Sequence, residues 1–187
     1  HCERGQLMFL RGDYGVPLAS LFDVRVGAVS GADDIFVHPQ GNVEFVCSST
    51  VDTGRTRRAF FDVRNDWLEQ HKPRLLARRV REFGEHNWWQ WGRLHHRSGG
   101  PRIYVNGKTR KPRPFFLHDC THYDGSVLAL FARPEVADLA RAAELLNDAV
   151  DWQELGFVCD GRFLFTQRSL QTCMLPDVFE TLRSRKS

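Results

Sequence analysis

The stretch Ala59-Phe60-Phe61-Asp62-Val63-Arg64-Asn65-Asp66-Trp67-Leu68-Glu69-Gln70-His71-Lys72-Pro73-Arg74-Leu75-Leu76-Ala77-Arg78-Arg79-Val80 changes period in its middle. Ala59, Phe61 and Val63 alternate as one face of a half-buried strand does. From Asp66 the pattern turns helical. Asp66 can cap Trp67 to Gln70, Pro73 suits a first helical turn, and the spacing predicts a helix through Val80 that Gly84 ends. Toward the N-terminus the strand character continues, with Val43, Phe45 and Cys47 alternating and short apolar runs at Ile35–Val37, Asp23–Val26 and Leu7–Leu10. Gly27 to Asp34 reads as a turn, its glycines free to take positive φ and its aspartates able to bond the backbone two residues on.

Toward the C-terminus, Asn87 to Gly100 places Trp88, Trp89 and Trp91 within four residues, too many for one face of a strand. Ile103-Tyr104-Val105 is a short strand entering Asn106-Gly107, a hairpin signal. Prolines keep Lys108 to Pro114 extended. Phe115–Leu117, Ser126–Phe131 and Phe163–Phe165 read as strands. A helix from Pro134 carries Val136, Leu139, Ala140, Ala143 and Leu146 as its apolar stripe, and Trp152 and Leu155 sit in a shorter helical segment. The tail from Thr181 is basic and expected to fray. With no repeat and no low-complexity linker, the expected fold is α+β: one strand-rich domain over residues 1–187, with a few packed helices and two lobes meeting near 114–126.

The chain has 187 residues, 42% of them apolar and 26% charged, with Phe 14, Trp 5 and Tyr 3. That composition supports a sizeable core and excludes intrinsic disorder. No apolar run approaches the roughly 18 residues of a membrane span, and His1-Cys2-Glu3-Arg4 carries no secretory pattern, so a soluble, cytoplasmic protein with no membrane partner is expected. Five widely spread cysteines without a Cys-x-x-Cys pair argue against a disulfide framework or zinc ribbon and for a reducing setting. A first residue of His rather than Met suggests a piece of a longer protein.

Charge is distributed unevenly. Residues 55–113 hold 16 Lys and Arg against 5 Asp and Glu, a local +11, while the whole chain is only +3. Such an asymmetry points to a polyanionic partner. Arg93, Arg97, Arg102, Lys108, Arg110, Lys111 and Arg113 flank two expected loops separated by one strand, where they could neutralise phosphates or, for arginine, fork onto guanine. Gln90, His95, His96 and Asn106 are candidates for base edges. The three tryptophans suit the core better than a base-stacking platform.

Catalytic motifs are absent from the sequence. It has no Gly-x-Gly, Walker loop, Gly-x-Ser-x-Gly elbow or Pro-Pro dipeptide, so neither a nucleotide cofactor nor a catalytic residue is expected in this chain. His118, Cys120 and His122 alternate at ligand-compatible spacing, but Asp119 and Thr121 intervene and no further Cys or His lies near, so no metal is expected. Asp33-Asp34 with Glu44 could hold magnesium as nuclease carboxylates do, yet an Asx-bonded turn explains the aspartates as well.

Several stretches, in order, resemble the target recognition domain of gamma-class DNA adenine-N6 methyltransferases, including fused restriction-modification enzymes. Leu21 to Phe36 is similar to the family's opening strand and Thr-Gly-Ala-Asn-like turn, with Ser30 and Asp33 in place of Thr and Asn. Trp67-Leu68 through Arg78, then Trp88-Trp89-Gln90-Trp91-Gly92-Arg93, resemble its helix and aromatic-Gly-Arg segment. Tyr123 to Leu128, Leu145 to Asp148, and Phe165 to Pro176 resemble later landmarks, so the likeness covers most of residues 18–176.

The resemblance implies duplex DNA as partner, an N-terminal methyltransferase domain of the same polypeptide as a second partner, and S-adenosylmethionine bound there with the catalytic Asn-Pro-Pro-Tyr-type motif. It further implies that the turn holding Ser30 and Asp33 approaches the DNA backbone. The expected function is sequence-specific double-stranded DNA binding for such an enzyme. The alternatives are a stand-alone magnesium-dependent nuclease using Asp33, Asp34 and Glu44, and an RNA-binding or protein-interaction module in which Trp88, Trp89 and Trp91 stack on single-stranded bases.

Overall fold

The computed structural model describes residues 14–96 and 98–183, together with the backbone of the paired strands Cys2–Glu3 and Gln6–Leu7. Expectations placed on Met8–Leu10, Arg97 and Ser184–Ser187 lie outside the described residues. The fold is α+β, built of short helices and several small sheets. It divides into two compact units, the first made of His1–Arg25, Gly100–Leu117 and Leu128–Ser187, the second of Val26–Gly99 and His118–Val127.

The first unit contains a four-stranded sheet in the order Phe22–Val26, Val127–Ala132, Arg102–Asn106, Phe115–Phe116. Its two inner strands are buried along almost their whole length, which is why Val127-Leu128-Ala129-Leu130-Phe131 is continuously apolar instead of alternating. The helix Leu139–Asp148 packs on Arg102–Asn106 and Phe115–Phe116. Asp138 caps it by accepting from the Arg141 N–H at 2.8 Å. At its other end Asn147 stands in for a missing strand, accepting from the Phe115 N–H at 3.0 Å and donating to the Phe115 carbonyl at 2.9 Å.

The second unit is organised around Phe36, Phe45, Phe61, Leu68, Leu75, Trp88 and Trp91. Val43–Phe45 pairs antiparallel with Arg57–Ala59 in the register Val43 to Ala59 and Phe45 to Arg57. Trp91 lies flat on Phe45, centroids 4.6 Å apart, and donates its indole N–H to the Phe60 carbonyl at 2.8 Å. The tryptophan cluster is therefore core: Trp88 and Trp91 are buried and Trp89 packs half-buried against them.

Five sequence expectations need correction. Ile35 and Phe36 belong to a helical turn, Asp33–Phe36, instead of a strand; only Val37 makes a bridge, to Ala59. The helix expected from Asp66 to Val80 is two helices, Asp66–Gln70, capped by Asn65, and Lys72–Leu76. Pro73 has no N–H to offer the Glu69 carbonyl, so the ladder breaks at His71. Asn106-Gly107 does not close a hairpin, because Arg102–Asn106 pairs with Phe115–Phe116 while Lys108–Thr109 pairs with Phe163–Leu164. The later helix starts at Leu139 with Ala142, Ala143, Leu145 and Leu146 buried, and Trp152 and Leu155 lie in turns. Nor does the chain fray at Thr181: Asp177–Leu182 is a 3-10 helix with Leu182 buried.

Candidate nucleic-acid interface

In the second unit the turn after Gly27 is held from three directions. Val29 and Arg93 exchange both backbone hydrogen bonds, at 2.9 and 3.0 Å, and the Ala28 N–H donates to the Tyr123 carbonyl at 2.9 Å. Gly27 is required where it stands, since a Cβ there would fall 1.9 Å from the Asp124 carbonyl oxygen. The third hold is Arg78, which is 8% exposed. Its guanidinium donates to the carbonyls of Leu75 at 2.8 Å, Ser30 at 2.6 Å and Trp88, and rests 3.8 Å over the Phe83 ring. Burial, with Arg81 nearby, pushes its pKa down to about 10. One side chain thus ties a helix end, the turn and the tryptophan segment together.

Beside this clamp runs a charge relay. The Ser30 hydroxyl donates to one oxygen of Asp33, and Arg57 donates to the other at 2.7 Å. The Arg57 Nε lies 2.9 Å from Asp124, whose side chain is 3% exposed. The second Asp124 oxygen accepts from the Ser126 N–H at 2.8 Å and from its hydroxyl. Burial raises the Asp124 pKa, against the pull of Ser126 and Arg57. Burial also works against the Arg57 charge, but the carboxylates of Asp124 and Asp33 outweigh it and raise its pKa. Neither Arg57, Asp124 nor Arg78 was a site candidate from sequence, although Tyr123-Asp124-Gly125 was already marked by the resemblance.

The candidates themselves divide sharply by exposure. Arg93 is exposed, donates to the Gly27 carbonyl at 3.3 Å, and among the described residues pairs with no carboxylate. Asp33 and His96 are also exposed, and Gln90 is half-buried, accepting from Arg81 at 2.8 Å. Ser30 and His95 are not at the surface: Ser30 is fully buried and shapes the turn, and His95 is 5% exposed, with its Nε2 3.2 Å from His122 Nδ1. In the first unit Lys108, Arg110, Lys111 and Arg113 are exposed on or after the strand Lys108–Thr109. Arg113 is paired with Asp148, while among the described residues Lys108 and Arg110 have no carboxylate partner. Arg102 and Asn106 are buried in the sheet, Arg102 donating to the Gly100 carbonyl at 3.1 Å with its guanidinium 4.8 Å over Phe131. Apolar neighbours on both faces of that strand remove these two from the surface.

The carboxylates offered for a nuclease are each engaged by an arginine: Asp33 by Arg57, Asp34 by Arg74 at 2.6 Å, Glu44 by Arg58 at 2.6 Å. His118, Cys120 and His122 form no strand; the His118 ring accepts from the Cys120 N–H. Among the described residues no group of three or more His, Cys, Asp or Glu could hold a metal ion. The stacking platform of the RNA reading is likewise spent on the core, through Trp88 and Trp91. Among the described residues no helix is long and apolar enough to cross a membrane.

The fold resembles part of a restriction-modification enzyme. One match is a solved structure of the type IIL restriction-modification enzyme MmeI in complex with DNA, at a TM-score of 0.57 and 9% identity, over 87% of this chain. The match covers 26% of the MmeI chain, so this chain spans about a quarter of that enzyme's length. At that identity the likeness is one of fold. No family model matches the chain. No curated protein matches it either.

Proposed function

We propose that this chain is a target recognition domain, which binds specific sites on duplex DNA for a restriction-modification methyltransferase of the adenine-N6 type. The observation that carries the reading is the fold match over 87% of the chain to an enzyme whose structure is a complex with DNA. The surface supports it: Arg93 in the second unit, and Lys108 and Arg110 in the first, are exposed cations with no carboxylate partner among the described residues. Such cations attract phosphate through counterion release, and an arginine held by a fixed backbone can fork onto a guanine edge.

In this reading Arg93 reads a base edge, its backbone pinned to Val29, while Lys108, Arg110 and Lys111 hold phosphates. Asp33 shapes the turn through Ser30 and Arg57, and offers an acceptor at the surface. Methyl transfer and S-adenosylmethionine belong to a further domain of the same polypeptide, and the protein acts in the cytoplasm, where its DNA is. Because the acceptor nitrogen of adenine is out of reach inside the stack, such a division of labour separates gripping the duplex from acting on the extruded base.

The test is fluorescence anisotropy of this chain with a random-sequence duplex, its single strand and a matched RNA at two salt concentrations. The reading expects the duplex to bind most tightly and with a steep salt dependence. Equal or tighter binding of single strand or RNA, or no duplex binding at low salt, refutes it.

A further inference from the structure

In the first unit the strands Val158–Cys159 and Arg162–Leu164 pair as a hairpin closed by Asp160-Gly161. Both turn residues have positive φ, 50° and 67°, which a tight two-residue turn requires and which Asp-Gly adopts at low cost. The hairpin does not stand alone. Its second strand pairs with Lys108–Thr109, and the Phe165 N–H donates to the Gly107 carbonyl at 2.9 Å. Hairpin and basic segment are therefore parts of one three-stranded sheet.

Register sorts the side chains of that sheet onto two faces. Thr109 lies opposite Phe163, and Phe163 opposite Val158. Thr109 is buried, and the Phe163 ring stacks on Phe165, centroids 5.8 Å apart, beside Trp152 and Phe157. Side chains alternate along a strand, so the pairs Lys108 with Leu164 and Cys159 with Arg162 share the other face. Lys108, Leu164 and Cys159 are exposed there, and Arg162 is half-buried. Lys108 and Arg162 are diagonal neighbours, a relation that sets residues about 7–8 Å apart.

Among the described residues neither cation has a carboxylate partner, and the Arg162 Nε, shut off from solvent, has no hydrogen-bond partner. The hairpin's one acid, Asp160, sits in the turn and pairs with neither. Holding two like charges as fixed neighbours costs free energy that an anion spanning both returns. Phosphates repeat along a nucleic-acid strand, and cations set in a row by a ladder fit that repeat. On the duplex-DNA reading above, on which this rests, we propose that the solvent face of this sheet is a further phosphate-binding surface, with Arg162 beside Lys108 on the same DNA strand. Arg162 lies outside the basic middle and adds affinity to every sequence alike.

Cys159 shares that face and reports on it without a mutation. The chain is labelled with N-ethylmaleimide, a neutral thiol reagent, with and without a random-sequence duplex, and the Cys159 peptide is followed by mass analysis. Labelling should fall in proportion to the fraction of chain bound and return when salt releases the duplex. In anisotropy titrations Arg162→Gln, with folding checked by thermal denaturation, should lower the slope of log affinity against log salt by about one for every sequence, and Arg162→Lys should keep it. Arg141→Gln, which removes an exposed cation already facing Glu144 at 3.2 Å, leaves the slope unchanged. Undiminished Cys159 labelling of the bound chain, or an unaltered slope for Arg162→Gln, overturns the hairpin contact while duplex binding leaves the recognition reading standing. Absence of duplex binding at low salt refutes both.

Discussion

Replacing Arg57 by Met would leave Asp124 buried without its counter-ion, and the cost can be bounded. Breaking one side of a buried ion pair typically costs about 3–5 kcal/mol. Here the penalty has a ceiling, because the orphaned carboxylate can take a proton. Against an unfolded reference near 3.9, neutralisation costs about 1.4 kcal/mol per pH unit, hence about 4 kcal/mol at pH 7 and about 1.5 kcal/mol at pH 5. The lost bond to Asp33, a half-exposed carboxylate, adds less than about 1 kcal/mol. The sign follows from the direction of the shift. Burial already raises the Asp124 pKa, and removing Arg57 removes an opposing pull, so it rises further. The folded variant then holds a proton that the unfolded chain has released, and its deficit relative to wild type shrinks as pH falls. Urea denaturation at both pH values, followed by tryptophan fluorescence, reads this in the second unit, which holds Trp67, Trp88, Trp89 and Trp91. A deficit of equal size at pH 5 and pH 7 would refute the reasoning, as would a pH dependence that persists when Asp124→Asn is added.

Other expectations follow from single geometric facts. Arg78→Met strips donors from three carbonyls and should cost at least about 3 kcal/mol in urea denaturation, with Arg78→Lys recovering less than half because one ammonium cannot span all three. Arg93→Ala should lose about 1–3 kcal/mol of discrimination at one base pair in a site-selection binding assay, whereas Lys108→Ala should weaken all sequences alike and lower the salt slope by about one. Gly27→Ala, whose Cβ meets the Asp124 backbone, should destabilise by more than about 2 kcal/mol, while Gly99→Ala, with nothing within 4 Å, stays within about 0.5 kcal/mol of wild type. Cys173, buried and with its pKa pushed up to about 12, should resist a disulfide-exchange reagent at pH 8 in the native protein, while exposed Cys159 reacts; mass analysis of the peptides distinguishes them.

The α+β class was legible because its main strands announce themselves locally. Phe22–Val26 and Val43–Phe45 carry alternation, and Val127–Ala132 carries the unbroken apolar run of an inner strand. Apart from the helix break at Pro73, which is local, what failed depends on a partner distant in sequence. Asn106-Gly107 has hairpin chemistry, yet the strand after it finds Phe163–Leu164, and nothing near residue 107 encodes that choice. Ile35–Val37 is β-branched and aromatic, which favours a strand on propensity alone. Burial of Ile35 and Phe36 in the core around Trp91, with Ala32 accepting from their backbone N–H groups, decides for a helical turn. The same limit governs the site. Counting found the basic middle, but Ser30, His95, Arg102 and Asn106 have the right chemistry in buried places, and the residues that fix the turn act across long separations: Arg78 reaches Ser30 and Arg57 reaches Asp124.

The charge asymmetry itself changes meaning once partners are assigned. Arg57, Arg58, Arg64, Lys72 and Arg74 each face an Asp or Glu, so this part of the basic middle is largely neutralised within the second unit. Acids outside the excess, Asp33, Asp34, Glu44 and Asp124 among them, provide much of that pairing, which a local count over residues 55–113 leaves out. Among the described residues Arg55, Arg79, Arg81, Arg93, Lys108 and Arg110 have no carboxylate partner. A cation already facing a carboxylate must give up that partner before it can neutralise a phosphate, so it contributes less to counterion release than a free one. The salt dependence of duplex binding should therefore follow the unpaired set, with those cations and not the total of sixteen deciding where a duplex is held.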